Sequence, residues 1–99
     1  MVLKGKTGKI KHLRVSDIGN VWGSGNDALQ TEVVVQLDSH PNDEAFGFTL
    51  RADDPNLPSC LGMLSVLRDA FIHKLTIGIA YEVDPGKKKG ILRRIDLSQ

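Results

Sequence analysis

Intrachain disulfides are excluded by a single cysteine, Cys60, so the fold must hold by packing alone. No apolar run approaches the roughly 20 residues that a membrane-spanning helix needs. The opening segment, "MVLKGKTGKIKHL", has lysines but no apolar stretch behind them, so no secretory signal is visible and a cytoplasmic location is the expectation. Repeats and low-complexity tracts are absent, and aromatics make up only 5% of the chain, with one tryptophan and one tyrosine. Excess charge of one sign is also absent, since 13 basic residues face 12 acidic ones. Ninety-nine residues make one domain with room for a thin core.

The charges are unevenly placed. Residues 1–15 and 85–99 together hold ten lysines and arginines against one acid, Asp96. Residues 16–84 hold Arg51, Arg68 and Lys74 against eleven acids. Basic ends enclose an acidic middle.

Periodicity gives the elements. "GKIKHLRV" (8–15) reads as a strand with a phase fault between Ile10 and Leu13, which implies a bulge or a strand passing from one sheet to another. "LQTEVVVQL" (29–37) alternates, placing Gln30, Glu32, Val34 and Gln36 outward. "AFGFTL" (45–50) puts Phe46, Phe48 and Leu50 on one face and Ala45, Gly47 and Thr49 on the other. Between these two strands, "DSHPNDE" is a loop. Prolines 55 and 58 halt the strand, and a helix runs from Ser59 to about Lys74. Its apolar arc covers roughly 240°, against the ≳ 100° of an ordinary surface helix, so it has more than one surface to bury. "LTIGIAYEV" (75–83) and "ILRRIDL" (91–97) are further strands, joined by the turn "DPGKKKG". The last strand is expected to face inward through Ile91, Ile95 and Leu97.

Strand, strand, strand, helix, strand, strand is the element order of the OB-fold, a five-stranded Greek-key barrel. The fold class is therefore mainly β, with one helix between strands three and four. A ferredoxin-like sandwich would need a second helix. The second half, about residues 46–99, also resembles the pentameric B subunits of bacterial enterotoxins. A strand ends there in a Pro-containing loop, a helix of about four turns follows, and "KLTI" opens the next strand. The resemblance implies a ring-forming, glycan-binding module with its helices turned toward a central pore. No binding residue transfers, because no motif matches, and the single cysteine departs from the disulfide of that family.

Trp22 stands in "SDIGNVWGSGND", between strands one and two, where OB-folds often bind ligands together with the loop between strands four and five. Trp22, Asn20, Lys87, Lys88 and Lys89 are thus the candidate ligand-binding residues. An indole beside lysines can stack on a sugar or a base; alternatively, Ile18, Val21 and Trp22 fold back as a lid on the core. In such a barrel strands one and five are expected to be neighbours, so the basic ends combine into one face, which suits nucleic acid. The same face could instead meet the acidic middle of another copy in a head-to-tail ring. Leu61, Val66 and Ile72 on the helix, with the small outward residues Ala45 and Gly47, are the candidate self-association surface. Glycan is a possible ligand and nucleic acid a less favoured one.

Catalysis and metal binding have little support. His12, His40 and His73 are scattered, and one cysteine cannot build a usual zinc site. No nucleophile has a base to pair with. The expectation is a non-catalytic, oligomeric OB-fold binding module without a cofactor, with a nucleic-acid-binding OB protein and a structural or protein-interaction subunit as the alternatives.

Overall fold

A computed structural model describes residues 2–23, 25, 28–39 and 44–97, with residues 18–20 described by backbone alone. Five strands and one helix follow in the order β1 (Val2–Trp22), β2 (Leu29–Leu37), β3 (Ala45–Phe48), α1 (Leu57–His73), β4 (Thr76–Val83) and β5 (Lys89–Leu97). The strands close into a ring in the order β1-β2-β3-β5-β4, with β4 pairing back to β1. All neighbours are antiparallel except β3 and β5, which run parallel, so the sheet is mixed.

The length of β1 makes closure possible. Its first part, Val2 to Lys9, pairs with β4, and Ile10 to Trp22 pair with β2. Counted as these two segments, the sheet has six strands, with the helix between the fourth and fifth. The fault at Ile10 is a register shift between Ile10 and His12 that leaves Lys11 over. This moves Leu13 into phase with Val35 after Ile10 has paired with Leu37. A wider bulge lies between Val15 and Asn20. Sequence periodicity finds only residues 8–15 of this strand, because its remainder alternates lysine with small residues or carries the bulge.

Strands one and five are not neighbours, since β4 lies between them. The two basic segments therefore do not merge into one sheet face through direct pairing. Arg93 and Arg94 instead find carboxylates near by, at Glu82 (2.8 Å) and Asp96 (3.4 Å).

The ring encloses Val33, Val35, Leu37, Phe46, Phe48, Ile77, Ile79, Tyr81, Val83 and Leu92, with Cys60, Leu67 and Ala70 of α1 packed on them. Phe46 and Tyr81 are in close contact, with 4.3 Å between ring centroids and a tilt of 41°. On β5 the inward residue is Leu92, not Ile91. A register shift opposite Ala80/Tyr81 leaves Arg93 over, so Leu92 and Ile95 both pair with inward residues of β4.

Helix α1 begins two residues earlier than its periodicity suggests, with Pro58 in its first turn. It ends at Lys74, which is left-handed (φ 55°), and the Leu75 N–H donates to the Ala70 carbonyl (2.9 Å), a Schellman closure. The helix buries Cys60, Leu67 and Ala70. Phe71, Leu61 and Ile72 are exposed, so only part of the wide apolar arc is covered.

A second cluster lies on the outer face of the ring. Leu29, Val34 and Ala45 are buried there, with Trp22 and Ile91 packed on them. Leu29 and Val34 stand an odd number apart, so β2 changes phase opposite the wide bulge of β1. The expected outward exposure of Glu32, Val34 and Gln36 is corrected, for all three are buried. Ala45 and Gly47 are buried as well. Both are covered from within the chain and offer no surface to a second copy.

Candidate binding face around Trp22

Trp22 is the last residue of β1 and pairs with Leu29. The strand continues through the Ser- and Gly-containing segment that the sequence suggests is a loop, and it sets the indole on the outer face, partly exposed. Paired residues of adjacent strands point to the same side of a sheet. His12 pairs with Gln36 and Arg14 with Val34, which brings both to the side of the indole. The His12 ring lies 5.2 Å from the indole, tilted by 46°. The Arg14 guanidinium carbon lies 5.2 Å from the indole centroid, within cation–π range. Buried His12 Nε2 has no hydrogen-bond partner among the described residues.

The loop between β4 and β5 adjoins this face. Lys87 and Lys89 line a hollow of about 140 Å³ with Leu29, Ile91, Glu82 and Asp84. Leu29 and Ile91 also belong to the cluster under Trp22, so the two candidate loops share a floor. Cations and carboxylates alternate there: Lys87 Nζ is 3.5 Å from Asp84, and Arg93 Nε donates to Glu82 at 2.8 Å. Lys88 sits in the turn and does not line the hollow. The Asn20 backbone pairs with Thr31, while its side chain and that of Ile18 lie outside the described residues, as does His40.

Sequence reading names Trp22, Lys87 and Lys89 but misses His12 and Arg14. Their signal was present in the spacing, since both have the outward parity of β1 beyond the Lys11 bulge. Without the pairing partner, nothing indicates that an indole eight residues beyond Arg14 and ten beyond His12 would return to them.

On α1, Leu61 and Ile72 are exposed and Val66 is half-buried. No group of three His, Cys, Asp or Glu residues among the described residues could hold a metal ion. No described helix is long and apolar enough to cross a membrane.

The fold and site together define a mainly β domain with a near-closed ring of strands and an aromatic–cation cluster on its outer face. Comparison with family models, curated proteins and solved structures gave no match.

Proposed function

We propose that this chain is a non-catalytic OB-fold binding module that associates with its own copies and holds a neutral glycan against Trp22. The OB-fold reading is supported by the ring order, the parallel β3–β5 pair and the helix between β3 and β4. The observation that carries the ligand reading is the half-exposed Trp22 beside a hollow of mixed charge. An indole face takes the apolar face of a sugar ring. Carboxylates and ammonium groups around it accept and donate hydrogen bonds to hydroxyls. The pairing of Lys87 with Asp84 and of Arg93 with Glu82 weakens the positive field that a polyphosphate would require.

The test is an isothermal calorimetric titration with a panel of neutral oligosaccharides, which reads wild type and variant alike. Binding should vary little with salt and be lost in Trp22→Ala, while the fold survives. Because Trp22 is only partly buried, its truncation should cost less than the ~3–5 kcal/mol of a core aromatic. Absence of binding by the wild type, or full binding by the variant, overturns the ligand reading.

A second reading, single-stranded nucleic acid, is supported by Arg14 and His12 flanking the indole. The same titration with oligonucleotides separates the two, because phosphate binding weakens steeply as salt rises.

A further inference from the structure

Two surface hollows outside the Trp22 face have opposite character. The first, about 490 Å³, lies where the end of α1 meets β1. Its apolar floor is Ile10, Phe71 and Ile72, and its rim carries Lys9, Lys11 and Lys74 against one carboxylate, Asp38. Phe71 is 43% exposed and Ile72 62% exposed, a large apolar area to leave facing water on so small a domain. The second, about 770 Å³, is opened by the wide bulge of β1. It is lined by Val15, Leu50, Asp17, Glu32 and Asp53, with Arg51 as its one basic group. Val15 on its edge is 52% exposed.

We propose that the α1–β1 patch of one copy seats its exposed Phe71 and Ile72 in the bulge cleft of the next. This specifies the self-association in the reading above and rests on it. Three ammonium groups offset by Asp38 face Asp17 and Asp53, the third carboxylate, Glu32, being buried and paired with Arg51 (3.5 Å). Net positive charge thus meets net negative charge, and exposed apolar side chains stand within both patches. The second copy is the occupant because the acidic, apolar-edged complement of the basic hollow is present on the same chain. Lys9–Lys11 and Val15–Asp17 are six residues apart on β1, about 20 Å of extended strand. The patches are therefore distinct, and the contact is heterologous: it repeats around a ring or continues as a filament.

The test is molar mass by sedimentation velocity at low and moderate salt, on the whole chain. The wild type should exceed the 10.8 kDa of one chain and dissociate as salt screens the contact. Ile72→Glu, Lys74→Glu and Asp53→Lys, all at exposed positions, should each return it to the single-chain mass with unchanged circular dichroism. Combining Lys74→Glu with Asp53→Lys should restore the larger mass. A wild type of single-chain mass at low salt overturns the proposal, as does an oligomer indifferent to Ile72→Glu. Loss of assembly with Ile72→Glu but not with Asp53→Lys would mean that helices meet helices, and it too overturns the pairing. Trp22 fluorescence titration of the single-chain variants reports ligand binding independently, so failure of one reading is distinguishable from failure of the other.

Discussion

At the residue scale, the inside of the ring is sensitive to alkali. Burial disfavours the phenolate of Tyr81, and the carboxylate of Glu44 adds repulsion, so its pKa is raised above the ordinary 10.0. Burial, with the negative charge of Asp54, likewise lifts the Cys60 thiol above 9.0, outweighing the opposing pull of Arg93. A group with a raised folded-state pKa favours the protonated fold. Its stabilising contribution is complete below the unfolded-state pKa and is lost as pH rises through the folded-state value. Urea midpoints should therefore be flat with respect to these groups near neutrality and fall as pH passes 9 and then 10. Tyr81→Phe should remove the upper part of that fall while leaving the neutral midpoint nearly unchanged. An unaltered alkaline limb in Tyr81→Phe would show that Tyr81 is not its source.

At the scale of elements, β3 has the least freedom. It has four residues, Ala45 to Phe48, all buried between β2, β5 and the two clusters. A Cβ at Gly47 would collide with the Val33 carbonyl oxygen and come within 2.6 Å of Thr31 Oγ1. Gly47→Ala should therefore cost about 3 kcal/mol, the upper end of ordinary overpacking, because a backbone carbonyl cannot step aside. Gly62 gives the contrast. It lies in the interior of α1 with nothing within 4 Å of a Cβ, so Gly62→Ala should gain about 1 kcal/mol from helix propensity. Chemical denaturation of the two variants checks both signs.

The same strand shows what the sequence conceals. The alternation of "AFGF" correctly sends Phe46 and Phe48 to the core, and that of 29–37 sends Val33, Val35 and Leu37 there. Alternation says which residues share a face, but not whether the opposite face meets water. Ala45 and Val34 look like solvent-facing positions until Trp22 and Ile91 arrive to cover them, and Gly47 is closed over by Thr31 and the Val33 carbonyl. Bulges are the other source of error. The excess residues at Lys11 and Arg93 each flip the phase of a strand. Only the first was legible, because Ile10 and Leu13 are apolar on both sides of the fault. At the second, Ile91, Leu92 and Ile95 satisfy either phase. The site was half legible for the same reason: residue types named Trp22 and the lysines, whereas His12 and Arg14 needed the register.

At the scale of the whole molecule, residues 2–9 carry more structure than their composition suggests. "VLKGKTGK" has two apolar residues in eight and no strand signal of its own, yet it pairs with β4 along its full length, from Val2 opposite Val83 to Lys9 opposite Thr76. This pairing is the seam that closes the ring. Beyond it, the Ser39 hydroxyl donates to the Thr7 carbonyl, and the Lys9 N–H donates to Asp38 (2.9 Å), which fasten the turn after β2 to the same stretch. A chain beginning at Lys9 would keep nearly all of the residues that form the core. It would, however, expose one edge of β4, a row of unpaired N–H and C=O groups beside apolar Ile77 and Ile79. Such a truncation should remove several kcal/mol, a large share of the ~5–15 kcal/mol that stabilises a typical domain. It should also aggregate in a concentration-dependent way, while the α1 helical signal persists longest on dilution. Thermal unfolding with parallel light scattering gives the answer. If the shortened chain melts cooperatively within about 4–8 °C of the full one, the seam is worth no more than ~1 kcal/mol, and the ring is held by β2, β3, β5 and α1 without it.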